Sequence, residues 1–526
     1  MNAAQQRARG PLAPVHPYLL ERRMRDIFNT ALLALIPAGL AFAVTIAFPH
    51  ASLLVALGII AGLVGIVALI VCGRLEVTVT VMLLFLLLIF DPLKMFTSSR
   101  EAIAPLEDIV ILAVSLGAVL RIVVRRERIR LPPLSGWVMA WVLIVVANAF
   151  NPKTQGFLAT IGGFSNGLQY VPFFFFGYAL MRSKRRFRQL FIILGVAATA
   201  SGVVAAYQTG LTPAQLAGWG PGYQALIHPQ AGGTGRVYFS EGEARVRPPG
   251  LGDEAGASGA VGRIALPMCL ALVALTRGRR RWIAAILALG STMAVVVGLG
   301  RSALIDAGLG VLAFVGLALL SGRQFTRAMA ALLVLIVLAI PAGSLLVSSL
   351  NKGTFKRYES LNTSSETTLH KEDAWKQVPG LVAAEPFGFG LGNSGSFAGR
   401  VGANKDLIEG HGLTSETEYN VLVKELGAPG LILWPALAIF VALLIARSMR
   451  RIRDGELAIY LAGTLAAFIP FPIEGTSGFL GGSLAGGAYY WFAVGVAAYW
   501  LVERRAVLSR AIPWVGTRDD VSVAPA

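Results

Sequence analysis

"ALPMCLALVALTRGRRRWIAAILALGSTMAVVV", residues 265–297, decides the fold. Two apolar runs flank the cluster "RGRRR" (277–281). An α-helix rises about 1.5 Å per residue, so about 20 apolar residues cross the roughly 30 Å of bilayer hydrocarbon. The stretch reads as one crossing, a basic turn and a crossing back. The pattern recurs along all 526 residues, which are 55% hydrophobic and 14% charged with a mean hydropathy of +0.66. Backbone polar groups in lipid must be satisfied within the segment, so such runs are helices. About fourteen are expected, at roughly 29–48, 52–72, 77–91, 107–124, 134–150, 166–181, 188–206, 256–276, 282–299, 303–320, 328–349, 428–446, 457–473 and 484–502. The expected fold class is an all-α polytopic membrane protein.

A formal charge of +17 invites comparison with nucleic-acid binders, but its distribution excludes them. Lys and Arg gather at alternate turns: "RRERIR" (125–130), "RSKRRFR" (182–188), "RGRRR" (277–281) and "RSMRRIR" (447–453), and near both termini. Cytoplasmic loops carry this excess, with a contribution from attraction to anionic lipid. Residues 1–28 are basic, lack a cleavable signal pattern and read as a cytosolic tail, matched by a second tail at 504–526. Between them the expected organisation is helices at 29–206, an external loop at 207–255, helices at 256–349, a large external loop at 350–427 and helices at 428–503. Cys72 and Cys269 lie in separate apolar runs, which argues against a disulfide framework. No zinc or haem spacing occurs, and the five histidines are scattered.

Polar chemistry concentrates in the two long loops. In "LTPAQLAGW", Thr212 is an expected N-cap, Pro213 the first helical residue and Gln215 the partner completing a capping box. The second loop ends in "EGHGLTSETEY" (409–419), where Ser415 and Glu418 fit another box. The helix that follows can stop at Gly427 and Pro429, with Tyr419, Leu422, Val423 and Leu426 on one apolar face lying along the bundle or the bilayer surface. His411 sits just before this helix, whose partial positive charge favours a neutral imidazole able to accept a proton. Glu416 and Glu418 read first as capping and dipole residues and second as bases. "GFGLGNSGSF" (388–397) matches neither the P-loop nor the dinucleotide pattern and reads as a tight turn allowing close packing.

Several cations break the charge rule. Arg301, in "GLGRSAL", and Arg245 and Arg247, in "ARVRPPGLGDEAG", fall on the expected external side. Arg263, two turns into a span, is costly in lipid and should face a partner or an aqueous cavity, and Asp306, within the tenth expected span, is the candidate to balance one of these cations. Arginine presents its donors in a planar fork suited to phosphate oxygens. External arginines beside a loop histidine point to an anionic, lipid-linked substrate.

The order "RPPGLGDEAGASG" (247–259), "GRSAL" (300–304), "PFGFGLGNSG" (386–395) and a histidine-bearing loop before "ETEYNVLVKELGAPGLILW" (416–434) resembles the O-antigen ligase/polymerase superfamily of bacterial envelope enzymes. The resemblance covers about residues 190–450 and is strongest from Glu385 to Trp434. It implies a fold like the C-type glycosyltransferases and glycan transfer from an undecaprenyl diphosphate carrier, outside the cytoplasmic membrane, without cofactor or metal. It implies that Arg247 and Arg301 hold the diphosphate and that His411 activates the acceptor hydroxyl. Arg245, Arg263, Glu418 and Lys371, or else Lys376, would support substrate binding. The expected partners are the lipid-linked glycan donor, a glycan acceptor, the bilayer and a chain-length regulator, with no nucleic acid. Two departures bear on the member: Asp253-Glu254 replaces a common Pro-Asn pair, and "TSETEY" stands where ligases often carry His-Asn. These favour a polymerase of repeat units over a ligase acting on lipid A core. A transporter or flippase is the rival from another class, but such proteins place ionisable groups at the midplane of repeated halves, and no repeat is visible.

Overall fold

A computed structural model of the chain describes residues 63, 66–67, 75–96, 105–124, 131–154, 156–227, 237–240, 243–321, 366–394, 417–476, 478 and 484–504. Two compact units emerge, Met1–Leu83 with Glu101–Arg130 and Leu84–Arg100 with Leu131–Ala526. Helix α1 (Leu75–Phe96) passes from the first into the second, and α2 (Pro105–Val124) belongs to the first. In α2, Glu107 and Asp108 occupy the first turn and Arg121 the last, signs that suit the helix dipole.

The second unit carries the remaining elements. In chain order these are α3 (Ser135–Ala149), α4 (Gly156–Leu168), α5 (Pro172–Leu180), α6 (Lys184–Thr209), α7 (Pro213–Ala217) and α8 (Pro221–Ile227). A hairpin of β1 (Val237–Ser240) and β2 (Glu243–Val246) follows, pairing antiparallel with Val237 opposite Val246. Then come α9 (Ala257–Leu275), α10 (Arg279–Val297), α11 (Arg301–Leu320), α12 (Glu366–Ala384), α13 (Glu418–Met449), α14 (Gly455–Ala466), α15 (Phe471–Glu474) and a continuous helical stretch α16 at 484–503.

Among the described residues, seven helical stretches are long and apolar enough to cross a membrane: α1, α6, α9, α10, α11, α13 and Gly455–Glu474. The described chain is mostly helical, and the length and apolar character of these helices suit a membrane-embedded protein. The described residues do not establish fourteen crossings. The runs at 29–48 and 328–349, and nearly all of 52–72, lie outside them. The expected span at 166–181 is two short helices, α4 and α5, parted by a turn at 169–171. At nine residues, α5 is about 14 Å long, well short of the hydrocarbon thickness.

Helix α9 is the hub of this unit, buried along almost its whole length and packed against α6, α10, α11 and α14. Small residues permit that approach, as in helix pairs within lipid. A Cβ on Gly262 would lie 2.7 Å from the Ser291 carbonyl oxygen, and one on Gly202 would lie 2.9 Å from the backbone nitrogen of Ala294.

These contacts fix direction. Along α6 and α10 the partners advance together, Gly195 with Leu287 and Gly202 with Ala294, so the two helices run parallel. Along α9 and α10 they run oppositely, Gly259 near Val295 and Gly262 near Ser291. Lys184, at the start of α6, pairs at 2.9 Å with both Asp454 and Glu456 at the start of α14. The Trp500 indole donates to the Met181 carbonyl at 2.6 Å. The basic turns at 182–188, 277–281 and 447–453 therefore gather at one end of the bundle. The turn at 125–130 lies outside the described residues.

Asp454 caps α14, its carboxylate accepting from the backbone N–H groups of Glu456 and Leu457 at 3.1 Å each. Burial pushes this carboxyl up, but the Lys184 ammonium and the two backbone donors outweigh it and hold the carboxyl below its ordinary value. A depressed folded-state value stabilises the protein above the unfolded value of about 3.9, and the benefit is lost as pH falls through the folded value. Asp454→Ala should lower the thermal midpoint of purified protein by the equivalent of about 1 kcal/mol at neutral pH. Asp454→Asn should cost less, because the amide still caps, and its difference from the parent should shrink on acidification. An alanine variant that melts with the parent would show that the cap contributes nothing.

Candidate functional site

Opposite the basic turns, a second end is assembled by glycines. The loop after α12 holds Gly388, Gly390 and Gly392 at φ of +81°, +88° and +72°, a region where side chains are strained. Each also faces backbone at close range: Gly388 meets Gly427, Gly390 meets Thr154 and Gly392 meets Ala159. The expectation of a tight packing turn holds for residues 388–394. The loop in turn grips α13, since Phe389 N–H donates to the Lys424 carbonyl at 2.6 Å and Ala428 N–H to the Pro386 carbonyl at 2.8 Å.

Between those two bonds α13 kinks at Gly427, whose φ of 65° and ψ of −155° are not helical. Gly427 stops a first segment at 418–426, as the sequence suggests, and Pro429 stands in the first turn of the second. Two expectations for this segment fail. Ser415 lies outside the described residues, and the cap is Thr417, whose side chain accepts from Asn420 N–H at 3.2 Å. The segment does not lie on a surface either. Every residue from Glu418 to Gly427 is buried, including Asn420, Lys424 and Glu425. Tertiary contacts cover its polar face as well as its apolar one.

Burial forces those polar groups to find partners. Ser394 Oγ donates to Glu425 Oε1 at 2.7 Å. Glu418 N–H donates to the carbonyls of Gly475 and Gly478 at 3.1 and 2.9 Å, and the Tyr419 hydroxyl to the Pro472 carbonyl at 2.8 Å. Glu418 and Glu425 are seven residues apart, two turns along one helix face. Both line a cavity of about 40 Å³, shared with Asn166, Trp141, Trp434 and Tyr490 among others. That is room for water or a small polar group. The Asn166 amide nitrogen is buried at the cavity without a hydrogen-bond partner among the described residues.

Beside the cavity, α15 carries Glu474 into an ion cluster. Arg263 Nη1 lies 3.1 Å from Asp306 Oδ2 and also pairs with Glu474, while its guanidinium sits over the Phe471 ring at 5.4 Å. Asp306 is thus the partner the sequence suggests, and Glu474 is a second one that it does not. Neither Arg263 nor Asp306 is more than 6% exposed. Gly475, next in the chain, packs on Glu418, Tyr419 and Trp434, joining the ion cluster to the cavity.

Arg301 is the first residue of α11 and half-buried. Arg245 lies in β2 and Arg247 just after it, both half-buried. The segments bearing Arg247 and Arg301 adjoin. Gly256 N–H bonds the Pro248 carbonyl at 3.1 Å, and a Cβ on Gly256 would lie 2.9 Å from the Gly298 carbonyl oxygen. His411 and Glu416 lie outside the described residues. Lys371 is in α12, with its side chain outside the described set, and Lys376 is exposed on the same helix. Sequence reading passes over Glu425, Lys424, Asn166, Ser394 and Glu474. The seven-residue spacing of Glu418 and Glu425 could have flagged one of them.

No family model matches the chain, and no curated protein is significantly similar to it.

Removing one partner from a buried ion cluster strands the others at a cost of about 3–5 kcal/mol, whereas replacing the whole set with apolar groups is often neutral. Arg263→Met alone should therefore abolish or sharply reduce monodisperse, heat-resistant protein in detergent. Combining it with Asp306→Leu and Glu474→Gln should restore much of the loss. A single variant as heat-resistant as the parent would show that the guanidinium is not what holds α9, α11 and α15 together.

Proposed function

We propose that this protein is a metal-independent, inverting glycosyltransferase that takes a glycan from an undecaprenyl diphosphate carrier and polymerises O-antigen or exopolysaccharide repeat units. The observation that supports this most is the grouping at one end of the bundle, away from the basic turns. There the adjoining segments of Arg247 and Arg301 share an end with the buried carboxylates of α13 and with the point where the chain enters α13 after His411. With the basic turns toward the cytosol, that end faces the outside of the cytoplasmic membrane.

In this reading Arg247 and Arg301 bind the diphosphate through charge-assisted hydrogen bonds and stabilise the charge that grows on it as it leaves. His411 takes the proton of the acceptor hydroxyl. The hydroxyl oxygen forms the new bond to the anomeric carbon as the bond from that carbon to the diphosphate oxygen breaks, with inversion. Glu418 and Glu425 hold the acceptor side of the site.

Purified protein in lipid nanodiscs, given an undecaprenyl-diphosphate-linked repeat unit, should release undecaprenyl diphosphate and lengthen the glycan. Arg301→Ala and Arg247→Ala should each slow turnover by about one to two decades, from the roughly 1.5–3 kcal/mol of a charged contact. Lys at either position should rescue only in part, lacking the fork. His411→Ala should suppress turnover while leaving donor affinity near that of the parent. Full activity in both arginine variants would remove them from the reaction. Cells lacking the protein should hold single repeat units on the carrier, and full-length polymer left on the carrier would instead identify a ligase.

A further inference from the structure

The last turn of α16, Ala498–Glu503, is π-helical, and Arg504 N–H donates to the Tyr499 carbonyl at 3.0 Å. In an α-helix, residues five apart stand about 140° apart around the axis. The π register brings them toward one face, and such turns recur at functional sites. Its effect here is to fold Arg504 back over Tyr499. The guanidinium carbon lies 5.7 Å from the ring centre, and Nε–H donates to the phenol oxygen at 3.2 Å.

A second arginine reaches the same ring from α5. Helices α5 and α16 pack so closely that Gly177 and Gly495 leave no room for a side chain between their backbones. Arg182 stands just past α5, its guanidinium carbon 5.1 Å from the ring centres of both Tyr178 and Tyr499, close enough for a cation–π attraction to each. Its Nε–H donates to the Tyr178 carbonyl at 3.3 Å, which caps α5. Tyr499 therefore aims two guanidinium forks. Each spends its Nε–H inward, and among the described residues neither guanidinium forms an ion pair.

The carboxylates at this end are already engaged. Glu503 accepts the Tyr178 hydroxyl, and Asp454 and Glu456 are held by Lys184. Arg185 and Arg188 are exposed on the same basic turn, so the surface stays positive. Toward the bilayer it turns apolar: Phe175, one turn before Tyr178 on α5, is 41% exposed, and Val502 is 36% exposed. Two planar forks above open hydrocarbon side chains match a phosphodiester with acyl chains beneath it. With the basic turns toward the cytosol, this end meets the anionic cytoplasmic leaflet. We propose that Arg182 and Arg504 together bind the phosphodiester headgroup of one anionic phospholipid of that leaflet, which clamps α5 to α16. The site lies at the opposite end of the bundle from the glycan chemistry proposed above and does not depend on it.

The test uses full-length protein purified in detergent and stripped of lipid. Phosphatidylglycerol, phosphatidylcholine and inorganic phosphate are the probes, with bound lipid counted by native mass spectrometry and stability read from the thermal midpoint. Phosphatidylglycerol should bind saturably and raise the midpoint. Phosphatidylcholine, with no net charge, should do neither, and inorganic phosphate, with no chains, should not displace the bound lipid. Arg182→Gln combined with Arg504→Gln should weaken binding by about one decade or more, through loss of charged contacts. Arg182→Lys or Arg504→Lys, which keeps the charge and loses the fork, should weaken it severalfold and keeps the test open if the double variant does not fold. Arg279→Gln combined with Arg280→Gln removes two charges from a neighbouring basic turn and should bind as the parent does. Equal weakening by that control pair would reduce the effect to diffuse attraction and overturn the site. Parent-like binding by the Arg182 and Arg504 variants would overturn it too, and displacement by inorganic phosphate would leave an ion site in place of a lipid site.

Discussion

A guanidinium two turns inside an apolar helix cannot be left alone, and much of this molecule is arranged around that requirement. Arg263 sits in α9, a helix largely enclosed by its neighbours, where an unpaired charge would be costly. Its answers come from two directions, Asp306 on α11 and Glu474 on α15. Satisfying one charge therefore fixes three elements distant in sequence. Glu474 then sets Gly475, and Gly475 sets Glu418, Tyr419 and Trp434, so the same constraint reaches the candidate site.

The second determinant is backbone geometry. A kink at Gly427 lets the buried segment 418–426 and the longer apolar helix after it point differently, and the left-handed glycines of 388–392 hold that kink by pressing backbone against backbone. No other residue type fits these positions, because a Cβ would meet main-chain atoms that cannot move aside. The polar groups of 418–426 are thereby carried into the interior, where Ser394, Gly475 and Gly478 supply their hydrogen bonds.

The two ends of the bundle differ in kind. One gathers the basic turns, with Lys184 bridging the starts of α6 and α14. The other gathers loops, glycine turns and buried carboxylates.

Much of this is legible in the amino-acid order. Apolar runs of bilayer length dictate helices, since lipid offers the backbone no other partner, and the basic clusters mark the turns between them. The capping box at Thr212 and Gln215, the stop at Gly427 and the tight turn at 388–392 follow from local stereochemistry, which a short stretch of sequence carries whole. Asp306 is foreseeable as a partner for Arg263 because a buried charge must have one. Glu474 is not, because nothing local says which carboxylate the packing will bring near. The same gap explains the misjudged helix at 418–426. Its periodicity predicts one apolar face and one wet face, yet neighbours from α12, α15 and the 388–394 loop cover both. The apparent span at 166–181 divides into α4 and α5 because length and hydropathy do not register the turn at 169–171. Among the described residues, sequence by itself determined that the long apolar runs are helical, that the first segment of α13 stops at Gly427 and which ends are basic, all consequences of short-range chemistry. Only the tertiary structure decided which polar residues share a cavity, because that depends on close approach between segments hundreds of residues apart.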